Sequence, residues 1–179
     1  MEFAPSYLDL LAMNAVDARG ALRYLAGNGF EPNPCCAYNV VILPQGVTSI
    51  QDYVFVDCHT LTSITLPDGL TTIGQHAFYA CRSLTSVTFP DGLTVIKGFV
   101  FEDCTSLTAV ILPDGLTVIG DGAFRGCTGL ISVNFPESMT SIGETAFNNC
   151  YSLTSVTLPD GLTAIEEGAF MRCRSLATV

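Results

Sequence analysis

The chain has 179 residues, of which 49% are hydrophobic and 13% are charged, and its net charge is −10 with seven Lys and Arg residues. This length and composition predict one folded domain rather than a disordered segment. The scarcity of basic residues argues against a nucleic-acid partner and against binding to an anionic membrane surface, because both need a concentrated Lys/Arg patch. No apolar run is long enough to span a bilayer, so we expect no membrane insertion.

Residues 1–30 precede the repeated part of the chain and are predicted to form an N-terminal α-helical cap. Apolar residues recur there at three- and four-residue steps, which gives a helix one stripe that can cover the open edge of the first coil. A helix that docks a partner domain is the alternative. Glu2 and Asp9 stand where a secretory signal needs basic residues, so no signal peptide is predicted. The stripe consists of Leu8, Leu11, Ala12, Ala15, Ala18, Leu22 and Leu25.

Residues 31–179 repeat every 23 residues without insertions, which is typical of a solenoid whose units bury their apolar faces by stacking. About seven coils are predicted from this period. Two positions of the repeat keep one residue type and are predicted to form the structural core. They are Phe55, Phe78, Phe101, Phe124, Phe147 and Phe170, and Cys58, Cys81, Cys104, Cys127, Cys150 and Cys173.

The best-formed unit shows what each coil contains. Residues 61–66 alternate as a short strand does, and the Pro-Asp-Gly sequence at 67–69 ends that strand in a turn. Residues 70–73 fit a second extended stretch, and residues 77–81 fit a helical turn or a short irregular bend. In-register stacking places like residues about 4.8 Å apart.

The pattern LxxIxLPxxLxxIgxxAFxxCxxL resembles the BspA-like class of leucine-rich repeats over residues 35–179. The resemblance implies a right-handed repeat solenoid of mostly short parallel β-strands, with turns and short helical bends. It also implies a binding role, often in a cell-surface or host-interaction protein, with no catalytic residues. The asparagine position of better-known leucine-rich repeats is mostly Gly here, which argues against the ribonuclease-inhibitor subtype.

The cysteine column can be interpreted as buried thiols, as a disulfide framework or as a metal-binding ladder. We favour buried thiols, because Cys is a small apolar filler and this column follows the invariant Phe. No metal or other cofactor is predicted, since a line of thiols is not a tetrahedral site. Reduced thiols and the missing signal peptide favour the cytoplasm, while a cell-surface location fits a chain that is a fragment.

Small polar residues at the outward positions of the first strand predict a face that binds an extended protein segment or a glycan. The alternative is that Ser and Thr are simply good solvated strand residues. Regular Thr columns resemble those of ice-binding solenoids, but the paired Thr-x-Thr rows are missing. The candidate partner-binding face consists of Ser63, Thr65, Ser86, Thr88, Ser132, Asn134, Ser155 and Thr157.

These observations favour a non-catalytic protein-interaction module, with a structural spacer or cell-surface adhesin segment as the alternative. No catalytic motif occurs, and the notable residues that break the period (His59, Lys97 and Tyr151) do not group. The sequence ends partway through a strand without a polar cap, which predicts either a fragment or end-to-end self-association.

Overall fold

The computed structural model describes residues 39–177, in which the chain winds into stacked coils that each contribute one three-residue and one two-residue strand. The three-residue strands are β1 (Val40–Ile42), β3 (Ser63–Thr65), β5 (Ser86–Thr88), β7 (Ala109–Ile111), β9 (Ser132–Asn134) and β11 (Ser155–Thr157). The two-residue strands are β2 (Ser49–Ile50), β4 (Thr72–Ile73), β6 (Val95–Ile96), β8 (Val118–Ile119), β10 (Ser141–Ile142) and β12 (Ala164–Ile165).

The odd-numbered strands form a six-stranded parallel sheet in the order β1-β3-β5-β7-β9-β11. The register follows the sequence period, since Val87 of β5 pairs with Val110 of β7. The even-numbered strands form a second side, which is divided into a two-stranded sheet (β2 and β4) and a four-stranded sheet (β6 to β12). The predicted solenoid of short parallel strands is therefore confirmed.

The interior is a column of stacked phenylalanine rings. Phe55 and Phe78 have ring centroids 5.0 Å apart and planes within 4° of parallel, and the column continues to Phe170, whose centroid is 5.4 Å from that of Phe147. These distances are close to the strand spacing of about 4.8 Å, as in-register stacking requires. The Phe column is thus confirmed as core, although Phe170 in the last described coil is only partly buried.

The third side of each coil is an irregular bend, and the prediction of short helical bends is wrong for the described residues. Backbone bonds such as that from Tyr79 N–H to His76 O (3.1 Å) make successive tight turns. His76 (φ 53°) and Ala80 (φ 56°) are left-handed, which prevents these turns from continuing into a helix. Glycine takes the same two positions in a later coil, at Gly122 and Gly126.

The predicted N-terminal helical cap at residues 1–30 lies outside the described residues, and so does its boundary with the repeats. Between residues 39 and 177 the structure contains strands and turns but no helix. Accordingly, this part of the chain has no helix that is long and apolar enough to cross a membrane.

Candidate partner-binding face

The outward surface of the six-stranded sheet, here called the strand face, carries all eight predicted binding residues. From β5 to β11, each strand of this sheet buries its middle residue and exposes its two ends, as in β5, where Val87 is buried between exposed Ser86 and Thr88. Parallel in-register pairing then aligns side chains of neighbouring coils, for example Ser132 with Ser155. Seven of the eight predicted residues are exposed and Ser63 is half-buried. The sequence pattern therefore predicted correctly that these side chains lie on one outward surface.

The strand face also contains apolar side chains that the Ser/Thr pattern does not include. Ile111 lies at the centre of the face and is 63% exposed, next to Thr88, with which it pairs across β5 and β7. Val40 and Ile42 are also exposed, at the β1 edge. Ile111 is therefore an exposed apolar side chain between two polar ones, Thr88 of β5 and Asn134 of β9.

One edge of the strand face is acidic. From β3 to β11, the turn that follows each odd-numbered strand exposes a carboxylate, while the turn after β1 has Gln45 at this position, and none of the described residues on the face or in these turns is Lys or Arg. Because the coils stack in register, the carboxylates form one line along the solenoid. The line consists of Asp68, Asp91, Asp114, Glu137 and Asp160.

The two threonine columns bond internally to the preceding coil. The hydroxyl of Thr117 donates to the carbonyl of Thr94 (3.0 Å), and that of Thr85 donates to the carbonyl of Thr62 (3.2 Å). The same bond recurs at most of the other Thr positions. A structural role in stacking therefore accounts for these columns without an ice-binding surface.

The cysteine column donates hydrogen bonds to the phenylalanine column. The Sγ of Cys127 lies 3.1 Å from the carbonyl oxygen of Phe101, and four other thiols make the equivalent contact 26 residues back in the chain. Burial raises the pKa of the Cys104 and Cys127 thiols, so both stay protonated as donors. The prediction of buried thiols is confirmed for Cys81, Cys104, Cys127 and Cys150, while Cys173 is partly exposed.

Cys58 is the exception in this column. It is buried, but it is disulfide-bonded, so the prediction of a reduced thiol is wrong at this position. In the sequence, Cys58 also differs from the other members because the residue 26 positions earlier is Pro32 rather than Phe. The Phe residue that precedes each later Cys by 26 positions is therefore present only from Cys81 onwards.

Two neighbouring coils are joined less completely than the others, at a boundary here called the seam. Pairing between β3 and β5 is limited to Ser63 with Ser86, and β4 and β6 do not pair. The N–H of Thr94 makes no bond to Thr71, whereas the equivalent bond from Thr117 to Thr94 measures 2.8 Å. On the bend side the seam stays closed, since Phe78 N–H bonds to Val100 O at 2.9 Å. The two coils therefore remain bonded to each other at the bend and lose hydrogen bonds on their two strand sides.

Two substitutions in the repeat coincide with this opening. Phe89 replaces the Leu found at the same position in the adjacent coils and packs edge-on against Phe101, 5.6 Å away. The strand pairing that precedes Phe135 is shortened in the same way, between β7 and β9. On the second side, Lys97 takes the position of Gly120, where a Cβ atom would approach the backbone nitrogen of Gly98 to 2.8 Å.

Neither substitution opens both sides by itself. Glu166 also replaces glycine at the Lys97 position, yet its N–H keeps a 2.9 Å bond to Ile142. The coil of Phe135 has Gly143 at this position, and there β8 and β10 remain paired. Only the coil that contains both Phe89 and Lys97 loses pairing on both sides, so we attribute the seam to the two together.

The seam forms a depression of about 340 Å³ on the strand face. Hydroxyls of Ser63, Thr65, Ser86 and Thr88 line it together with the carboxyl-bearing Asp68. Its apolar lining comes from Ile64, Leu66, Phe89 and Pro90. Sequence reasoning missed this site, and the signal that could have found it is the joint departure of Phe89 and Lys97 from the repeat.

The metal-ligating side chains of the described residues do not come together in one site. No group of three or more His, Cys, Asp or Glu side chains between residues 39 and 177 could hold a metal ion. The period-breaking His59 and Tyr151 contact separate partners, with His59 Nδ1 3.0 Å from Ala80 O and the Tyr151 hydroxyl 3.2 Å from Asn149 Oδ1.

Comparison with known proteins agrees with this architecture. Residues 30–113 and 96–179 match the family model described as BspA type Leucine rich repeat region, in six copies. A leucine-rich repeat protein from T. pallidum, TpLRR, has a similar structure at 37% identity and a TM-score of 0.76, over 78% of this chain and 68% of that one. One from Bacteroides ovatus is 27% identical with a TM-score of 0.64, over 78% of this chain and 44% of that one. No significant match was found among curated proteins.

The repeats, the stacked parallel strands and the match over most of the sequence define a leucine-rich repeat solenoid. The chain belongs to the BspA-type leucine-rich repeat family. It spans less than half the length of the B. ovatus structure and of a similar structure from Eubacterium ventriosum, which is 28% identical with a TM-score of 0.57.

Proposed function

We propose that this chain is a non-catalytic recognition module that binds a partner protein through the strand face. The observation that carries the proposal is the exposed Ile111, which lies between Thr88 of β5 and Asn134 of β9 on a sheet whose backbone is fixed by stacking. Small hydroxyls and a rigid backbone lose little entropy on binding, and an exposed aliphatic side chain supplies apolar area. The Phe, Cys and Thr columns, in contrast, are occupied by contacts between coils.

A three-lysine variant of the strand face tests this proposal. Thr88→Lys, Ser132→Lys and Thr157→Lys place long cations on three exposed positions without setting two of them directly opposite each other. We expect the variant to lose at least about tenfold in affinity for a partner captured by the wild-type chain, because the new side chains block the face. Affinity is measured by biolayer interferometry with the captured partner.

The matched control carries three lysines at exposed, uncharged positions away from the strand face. Gln75→Lys, Val95→Lys and Ser106→Lys make the same change in net charge. The control is expected to bind as the wild type does. If both variants bind the partner equally well, the strand face is not the recognition surface and the proposal is wrong.

A further inference from the structure

We propose that the depression at the seam is an anchor site for a basic side chain, Lys or Arg, of the partner polypeptide. This inference rests on the proposed function and names the chemistry of its central contact. Asp68 is the only charged residue in the lining, and the four hydroxyls around it are small acceptors. Pro90 and Leu66 give apolar walls along which the methylene stem of a lysine can lie while its ammonium meets the carboxylate.

The backbone around the depression supports a bound polypeptide. Thr65 and Thr88 occupy equivalent positions of β3 and β5, but their pairing is lost at the seam. The Thr65 carbonyl is occupied by the N–H of Leu43 at 3.0 Å, but the N–H of Leu66 makes no equivalent bond to the Thr88 carbonyl, so the Thr88 main chain is released from the ladder on its seam side. Polar main-chain groups beside an open pocket can bond to an extended segment, as in other cases where a peptide adds to a sheet.

Charge complementarity favours a cationic occupant over a neutral one. The whole chain carries −10, and the acidic line beginning at Asp68 borders the strand face without a basic residue. A glycan is less well matched, because the aromatic residue in the lining, Phe89, is buried at 4% exposure and offers no ring surface on which a sugar could stack.

The test uses the full chain and the pentapeptide Ac-Gly-Gly-Lys-Gly-Gly-NH2, with the norleucine peptide of the same length as its uncharged control. Backbone amide signals are followed by two-dimensional NMR during titration. We expect the lysine peptide to move signals of residues 63–68 and 86–91 and the norleucine peptide to leave them in place. The shifts should weaken as salt is added, since an exposed ion pair is screened.

Two charge-reversal variants separate the pocket from the general acidity of the edge. Asp68→Lys and Asp160→Lys change the same repeat position within the same Leu-Pro-Asp-Gly-Leu sequence, and only Asp68 lines the depression. We expect Asp68→Lys to weaken binding of the lysine peptide at least about fivefold and Asp160→Lys to change it by less than about twofold.

Equal losses in the two variants would overturn the proposal, and so would shifts spread evenly over all five acidic turns. Shifts at residues 63–68 caused by methyl mannoside and not by the lysine peptide would also overturn it and assign the depression to a glycan. If the lysine peptide fails here while the three-lysine face variant still loses its partner, only the anchor site is wrong. If that variant keeps its partner, the proposed function itself is wrong.

Discussion

Cys127 illustrates how single residues hold neighbouring coils together. Its side chain is fully buried, and its Sγ donates to the Phe101 carbonyl of the preceding coil. The sequence period predicted the burial of such residues, because Cys is a small apolar filler and this column closely follows the Phe column. The hydrogen bond was not predictable, since its acceptor lies 26 residues away and its direction depends on the bend between the two columns.

Thiol reactivity tests this packing. In the native protein we expect iodoacetamide to modify Cys173 before the other free thiols of the described residues and to leave Cys104 and Cys127 unmodified, because the latter are buried and burial raises the pKa of their thiols. Mass spectrometry of peptides after timed alkylation reads each site separately. Modification of Cys127 as fast as that of Cys173 would contradict the buried column.

Glu102 gives the molecule a dependence of stability on pH. Burial raises the pKa of its carboxyl group, and this effect outweighs the opposing influence of Arg125, whose Nε lies 3.5 Å from Oε1. A carboxyl whose pKa is raised on folding stabilises the fold fully below its unfolded pKa. That contribution is lost as pH rises through the folded pKa, so at neutral pH the ionised Glu102 lowers stability relative to a neutral side chain.

Replacing Glu102 with Gln should remove this dependence. We expect Glu102→Gln to have a higher melting temperature than the wild type at pH 7, and the difference to shrink as pH falls through the folded pKa and to be smallest below the unfolded pKa of Glu, about 4.3. Thermal unfolding followed by circular dichroism between pH 3 and pH 7 measures it. A difference that stays constant across this range, or a variant that is less stable at pH 7, would contradict the assignment.

At the scale of strands and coils, the seam is the feature that departs from a uniform array. The coil containing Phe89 and Lys97 is joined to its predecessor mainly on the bend side. Local opening requires less free energy where fewer backbone bonds must break. The amides of Thr94 and Lys97 should therefore exchange with deuterium faster than those of Thr117 and Gly120, which hold the same repeat positions and are bonded to the preceding coil.

Phe89→Leu tests what opens the seam on the strand face. Leucine fills this position in the adjacent coils, so the variant should restore pairing between β3 and β5 and slow the exchange of the Thr88 amide. Loss of the contact with Phe101 should lower the free energy of unfolding by about 1 kcal/mol, measured by urea denaturation. Unchanged exchange at Thr88 would show that Phe89 does not cause the opening.

The strands could be predicted from the sequence, because their side chains alternate between inside and outside. The seam could not, because it depends on how particular side chains fit between coils. Alternation in Leu61 to Leu66 fixes which side chains face inwards, because the period of a strand is two residues. The bend is different, since left-handed residues there include Tyr53, His76 and Thr145, which share a backbone conformation but no side-chain property. The opening of the seam depends on whether the side chains of Phe89 and Lys97 fit between the closely spaced backbones of two coils. The repeat pattern of the sequence does not reveal this fit.

At the scale of the whole molecule, the repeat places the residues that hold the coils together and the residues of the strand face at different positions of each coil. Bonds between coils occupy the Phe, Cys and Thr columns, and the strand face is left with exposed hydroxyls, Ile111 and an acidic border. Because stacking fixes the register, residues that are 23 apart in sequence form one continuous surface. Such a surface can bind a partner along several coils without any change in the fold.

Cross-saturation NMR on the complex of the deuterated chain with its captured partner tests the central claim most directly. We predict that saturation transferred from the partner appears at the amides of β3, β5, β7 and β9, with the largest effect near Thr88 and Ile111. The even-numbered strands should show none. Saturation centred on β6, β8 and β10, with the strand face unaffected, would contradict the account.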